Sequence, residues 1–259
     1  MSLPILVERD GYIATVVLNQ PDKLNAMSKA MWAGLAEAMT LLSGDAAVRC
    51  IVVRGAGGKA FCPGADIGEF EHERSNAVQA ADYGRVIRSA IDAMSNCPQP
   101  LVAQIDGVCV GGGLLIASLC DIRICGEASR FGVPVRNLGL VEAYAEMAPL
   151  VRLAGADVAL EILLEGRIFG AAEAREKRLV TRVVPDSDVA MAARASASRI
   201  AEGAPLVARW HKKFARRLQD PRPIDEAEEA ECYACFDTED FRIGWAAFQA
   251  KRKPRFMGR

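Results

Sequence analysis

Between Ile105 and Ile122 the chain reads I-D-G-V-C-V-G-G-G-L-L-I-A-S-L-C-D-I, and this stretch narrows the possible folds more than any other. An apolar run ends at Ile105, turns at Asp106-Gly107 and reaches Gly111-Gly112-Gly113. A second apolar run, Leu114 to Cys120, then stops at Asp121. The pattern predicts a strand, a tight glycine turn and a short helix buried on nearly every side. Consecutive glycines let backbone N–H groups approach a ligand closely, and the start of a helix adds partial positive charge at the same point. Such a turn is a site for a negative oxygen.

The remaining segments alternate between strand and helix signals. Ile5 to Val7 and Tyr12 to Leu18 predict a hairpin across Asp10-Gly11. Ser28 is placed to cap a helix from Lys29 to Leu42, and Cys50 to Val53 reads as a buried strand. A charged, exposed loop is expected over Glu71 to Asn76, a helix over Tyr83 to Met94, and strands over Leu101 to Ile105 and Asp121 to Cys125. Phe131 to Glu142 reads as a loop. Helices are expected over Ala143 to Leu153, Ala156 to Leu164 and Ala171 to Lys177, followed by a strand at Val180 to Val184. From Asp188 the pattern is helical to the end, with breaks at Gly203-Ala204-Pro205 and Pro221 to Pro223. This predicts an α/β core over residues 1–197 and a helical segment over 198–259.

Composition removes several function classes. Hydrophobic residues make up 51% of the 259, enough for a large core, and 32 basic residues nearly balance 33 acidic ones. A net charge of −1 gives no reason to expect a nucleic-acid partner. No apolar stretch approaches the about 20 residues of a membrane span, and the N-terminus shows no leader pattern, so a cytoplasmic protein is expected. The eight cysteines lie mostly in apolar segments, and Cys232-Tyr-Ala-Cys235 has no second cysteine pair or histidine cluster beside it. Buried thiols in a reducing compartment are expected, with no metal.

A second glycine-rich turn, Gly64-Ala65, follows Phe61-Cys62-Pro63. Two turns that each offer a bare N–H can converge on one oxygen and stabilise an enolate or tetrahedral intermediate, one donor contributing about 3 to 4 kcal/mol. The same turns are also compatible with ordinary loops. Phosphate binding is less favoured, because neither G-x-x-x-x-G-K-[ST] nor G-x-G-x-x-G occurs.

Taken together, these segments resemble the crotonase (enoyl-CoA hydratase/isomerase) superfamily over essentially the whole chain. The resemblance rests on Pro21-Asp22-Lys23-Leu24-Asn25-Ala26, Phe61-Cys62-Pro63-Gly64-Ala65-Asp66-Ile67, and Gly107 with Gly111-Gly112-Gly113. It continues through Cys120 to Arg123, Phe131 to Pro134, Leu138 to Leu140 and Lys251 to Phe256. It implies a spiral of ββα units, a C-terminal helical segment that forms a homotrimer or homohexamer, and an acyl-coenzyme A thioester as substrate with no further cofactor. It also implies that the thioester oxygen sits between the N–H groups of Ala65 and Gly112. Lys23, Leu24, Ala26, Ala65, Asp66, Ile67, Gly68 and Lys251 are implied to line the coenzyme A site. For Lys251 to Arg255 a solvated charge run is the competing reading.

The sequence departs from the family at the catalytic positions. Hydratases of the family carry one glutamate two residues beyond the glycine triplet and another after the proline of F-G-x-P. Here Leu115 and Val135 stand there. An aliphatic pair cannot activate water, and loss of a positioned acid or base costs about 10² to 10⁴ in rate. Glu142 is the foremost replacement, because some enoyl-CoA isomerases place a single carboxylate close to this position. Facing an apolar wall of Leu115, Val135 and Val141 it would have a raised pKa and suit proton transfer during double-bond isomerisation. Its competing role is to cap the helix starting near Ala143. Tyr144, Glu146 (i,i+4 from Glu142), His72 and His211 are weaker candidates, while Asp66 and Asp121 read as structural. The alternatives to an isomerase are a non-catalytic acyl-CoA-binding paralogue and a specialised lyase or hydrolase of the same superfamily.

Overall fold

The computed structural model of the protein describes residues 3–259. In chain order the elements are β1 (Ile5–Asp10), β2 (Ile13–Leu18), α1 (Lys29–Ser43), β3 (Cys50–Gly55), β4 (Ala60–Cys62), α2 (Phe70–Glu73) and α3 (Ala77–Ser95). Then come β5 (Leu101–Ile105), β6 (Val108–Val110), α4 (Gly112–Leu119), β7 (Ile122–Gly126), β8 (Arg130–Gly132), α5 (Tyr144–Ala154) and α6 (Ala156–Glu165). The chain ends with β9 (Phe169–Gly170), α7 (Ala171–Glu176), β10 (Arg182–Val184), α8 (Val189–Glu202), α9 (Pro205–Arg217), α10 (Glu226–Glu231) and α11 (Glu239–Gln249).

Strand partition explains the spiral. A six-stranded sheet has the order β1-β2-β3-β5-β7-β10 and a four-stranded sheet the order β4-β6-β8-β9. The consecutive pairs β3/β4, β5/β6 and β7/β8 each place one strand in the large sheet and one in the small. The helix after each pair carries the chain back to begin the next turn. Because β2, β3, β5 and β7 run parallel, side chains on both faces must be covered. Alternation along β3 shows how: Ile51 and Val53 join the main core with Met31, Leu35 and Met39, whereas Cys50 and Val52 pack with Ala193 and Ala197 of α8. Helix α8 runs unbroken through residues 197 and 198 and belongs to that packing.

Several segments differ from the sequence expectation for a common reason. The strands β4, β6, β8 and β9 are only two or three residues long and cannot show a two-residue period. The apolar Val108–Val110, read as part of a glycine turn, is β6 and pairs with β4 and β8. The charged segment read as a loop over Glu71 to Asn76 begins within α2, and α3 starts at Ala77, capped by Asn76 Oδ1 accepting from Val78 and Gln79 N–H. The cap signal there is a single asparagine within a polar run, with no apolar period to announce it.

Other expectations hold, except that the helical pattern does not reach the end of the chain: residues 250–259, after α11, form no helix. Ser28 Oγ accepts from Met31 N–H and starts α1, and Asp121 ties Leu101 N–H (2.7 Å) to Lys212 (2.7 Å) and Arg216 (3.1 Å) of α9. No described helix is long and apolar enough to cross a membrane.

Candidate active site

Two backbone turns meet at the N-terminus of α4. Gly64, at φ +107°, closes the turn after β4, and a Cβ there would stand 3.4 Å from Gly112 N. That φ is open to glycine and costly for other residues. Gly113 lies against β4 so closely that a Cβ would stand 2.2 Å from Cys62 O. Met27 N–H donates to Gly64 O, and Asp66 N–H donates to Met27 O, which locks the Ala65 segment beside the start of α1. Among the described residues neither Ala65 N–H nor Gly112 N–H has an acceptor. The first N–H groups of a helix have no intrahelical partner. The two glycine turns of the sequence therefore lie side by side with free donors.

These donors open on a cavity of about 140 Å³. Its walls include Ala65 and Gly112, the aliphatic Leu115, Val135 and Val141, and the carboxylate of Glu142. Leu115 is buried and Val135 half-buried, whereas Val141 is 89% exposed and forms the mouth rather than the floor. The residues expected around the acyl group are thus brought together.

Glu142 does not cap α5. The cap position is Ala143, which makes no side-chain cap bond. Burial raises the pKa of Glu142 to about 8, helped by a hydrogen bond to Glu146 and its negative charge, while Arg74 opposes the shift. Glu146, in the first turn of α5, lines the same cavity and a smaller adjoining one beside Leu114, Met147 and Leu163. Its only sequence signal is the i,i+4 spacing from Glu142. Arg74, in the turn after α2, also lines the cavity, and its guanidinium lies over the rings of Phe70 (4.7 Å) and Tyr83 (5.0 Å). Nothing in the sequence pattern around Arg74 marks it.

The segments expected to hold coenzyme A lie next to the free donors. Lys23 Nζ pairs with Asp66 Oδ2 at 2.6 Å, and that bond raises the lysine pKa. Asp66 also accepts from Gly68 N–H at 3.1 Å, the local backbone role its sequence suggests. Leu24, at φ +54°, and Ile67 are exposed, as is Gly68; Ala26 is buried.

Lys251 stands apart from the other residues expected at the coenzyme A site. It does not line this cavity, and the tail after it packs against the other end of the large sheet. There Arg49, just before β3, donates to Phe256 O at 2.7 Å, and Lys253 pairs with Glu202 of α8. The basic run is anchored where β3 begins, whereas the Ala65 segment lies beyond its far end, beside Ala56 and Asn25. His72 in α2 and His211 in α9 are exposed and lie outside the cavity. Tyr144, 92% exposed, is not on its wall.

With fold and geometry in hand, the class is clear: the enoyl-CoA hydratase/isomerase family profile matches residues 8–259, and the chain belongs to that family of acyl-CoA enzymes. The crystal structure of an enoyl-CoA hydratase/carnithine racemase from Magnetospirillum magneticum is 52% identical, with a TM-score of 0.97, over 100% of this chain and 97% of that one. A probable enoyl-CoA hydratase of Mycobacterium tuberculosis is 33% identical over 257 residues, 98% of each chain. A crotonyl-CoA hydratase of Syntrophomonas wolfei is 30% identical over 258 residues, again 98% of each.

Proposed function

We propose that the protein isomerises the double bond of an enoyl-CoA through a thioester enolate, with Glu142 as the sole proton carrier at the reacting carbons. The N–H groups of Ala65 and Gly112 form the oxyanion hole, and they strengthen their hold as negative charge develops on the thioester oxygen. Glu142 takes a proton from C2 of a 3-enoyl thioester, leaving an enolate conjugated with the double bond. The same carboxyl then delivers that proton to C4 and yields the 2-enoyl product. No cofactor is required.

One observation carries this reading: Glu142 lines the same cavity as the two free donors, while Leu115 and Val135 supply no polar atom. Ordinary hydration needs a second group to hold water; the aliphatic pair occupies the positions where family hydratases hold it, and the second carboxyl in the cavity, Glu146, acts on Glu142 by raising its pKa. Turnover of a 3-enoyl-CoA by the wild type and by Glu142→Gln tests the assignment. Undiminished turnover by the variant removes Glu142 from the mechanism. Tight acyl-CoA binding without turnover across enoyl, 3-hydroxy and aryl thioesters would instead make the protein a binding paralogue. The names of the two hydratase relatives keep hydration as the competing reaction, and the same assay with a 2-enoyl-CoA measures it.

The proposal extends to assembly. Residues 198–259 act as a trimerisation segment in a homotrimer or homohexamer. The exposed apolar face that includes Tyr233, Phe236, Phe241, Trp245 and Phe248 supports this, because an isolated chain gains nothing by leaving so many aromatic rings in water. In that assembly Lys251 approaches a coenzyme A phosphate only across a subunit contact. The balanced charge and thiol-rich core fit a cytoplasmic location.

A further inference from the structure

Trp32, on α1, is 2% exposed, and its Nε1–H has no acceptor among the described residues. An indole N–H can only donate, and buried donors in native proteins are almost always paired. The indole lines the cavity, and its Cζ2 lies 3.1 Å from where a Cβ on Gly112 would stand. The uncommitted N–H therefore belongs to a ring lodged against the segment that carries one of the two free backbone donors.

A second donor-only group stands on the wall that the Trp32 ring helps to form. The Arg74 guanidinium makes no ion pair and no side-chain hydrogen bond among the described residues, although two rings hold it in place. The carboxyls on the wall, Glu142 and Glu146, make no hydrogen bond to the Trp32 indole or the Arg74 guanidinium. The remaining wall around Leu115, Val135 and Leu138 is aliphatic. The chemistry left unsatisfied here is thus donation, and its complement is an oxygen on the ligand.

From this we infer that Trp32 is a specificity-determining residue whose indole N–H binds an oxygen substituent on the acyl chain, so that the substrate class is an oxygen-bearing acyl-CoA rather than a plain alkyl one. The inference rests on the reading of this cavity as the thioester site. A hydroxyl and a carboxylate share the acceptor chemistry; Arg74 separates them, since only a carboxylate also engages the guanidinium strongly.

The test uses the intact protein labelled with ¹⁵N in its three tryptophans, titrated with butyryl-CoA, 3-hydroxybutyryl-CoA and succinyl-CoA. Trp32→Phe assigns the Trp32 indole resonance by its disappearance. The oxygen-bearing thioesters are expected to move that resonance downfield where butyryl-CoA does not, and to bind about tenfold tighter. Trp32→Phe is expected to lower that binding ratio about tenfold. A parallel loss in Arg74→Met for succinyl-CoA alone identifies a carboxylate; a loss confined to Trp32→Phe identifies a hydroxyl.

Equal resonance shifts with all three thioesters, or a binding ratio that Trp32→Phe leaves within about twofold of wild type, overturn the inference. If butyryl-CoA binds and the ratio stays flat, only the role of Trp32 falls. If no thioester binds, the site reading falls with it. Should Trp32→Phe fail to fold, Trp210→Phe and Trp245→Phe assign the Trp32 indole resonance by elimination, and the wild-type shifts on the three ligands then decide alone.

Discussion

Glu142 and Glu146 line one cavity from adjacent turns of chain at the start of α5, and the Glu146 carboxyl helps to hold the Glu142 pKa above the usual carboxylate range. Burial and a second nearby carboxyl both disfavour ionisation, so the pair holds a proton at pH values where separate glutamates would have lost theirs. Arg74 stands opposite and partly offsets the effect.

The rate of proton abstraction should therefore depend on pH well above the usual carboxylate range. A base must be ionised to act, and Glu142 has a pKa of about 8. With a 3-enoyl-CoA, kcat/KM is expected to rise as pH increases toward 8 and to level off above it. In Glu146→Gln the hydrogen bond to a carboxylate and the negative charge are both gone, and each raises the Glu142 pKa. The midpoint should move to lower pH. A profile that is identical in the variant, or that moves to higher pH, contradicts the coupling.

Glu142→Gln keeps size and polarity but cannot carry a proton. Its kcat should fall by about 10² to 10⁴, with acyl-CoA affinity within a few-fold of wild type. Stopped assays together with calorimetric binding separate the two effects. A comparable loss of affinity would mean that the substitution has disturbed the cavity rather than the chemistry.

Stability should carry the same signature. The folded-state pKa of Glu142 lies above the ordinary glutamate value of about 4.3, so between those two pH values the folded protein holds a proton the unfolded chain has released. The Glu142 contribution to stability is present at pH 4 and is lost as pH rises through about 8. Glu142→Gln, which does not titrate, should gain in Tm relative to wild type from pH 5 to pH 9. A difference in Tm that is flat across this range would show that Glu142 titrates as an ordinary surface group.

Asp121 provides a control remote from the cavity. Its carboxylate is the counter-charge of Lys212, whose side chain is 6% exposed and whose pKa burial lowers. Asp121→Ala leaves an uncompensated buried ammonium and is expected to cost about 3 to 5 kcal/mol in chemical denaturation. A loss below about 1 kcal/mol would mean that Lys212 reaches water when its partner is removed.

Much of this molecule was legible in the chain itself, and the reason is locality. Ser28 capping α1, the apolar period of that helix, and the β-branched run at β3 each depend on neighbours a few residues away. The same holds for Gly64-Ala65 and Gly111-Gly112-Gly113, where an unusual backbone is available only to particular residues. Leu115 and Val135 could likewise be read as non-catalytic from their side chains alone.

Only the tertiary structure decided what those local features face. The spiral places the turn after β4 against the start of α4, so two separate glycine turns share one cavity. Packing of the α5 start against Leu115 turns Glu142 from a possible cap into a half-buried acid with Glu146 as its neighbour. Arg74 and Trp32 join the same wall from segments distant in sequence, and Lys251 is carried to the opposite end of the large sheet. The strands β4, β6, β8 and β9 are too short to carry a period and exist because neighbouring strands supply their hydrogen bonds. Burial, a shifted pKa and an unpaired donor are properties of what surrounds a group, and that environment is assembled only when distant segments pack together.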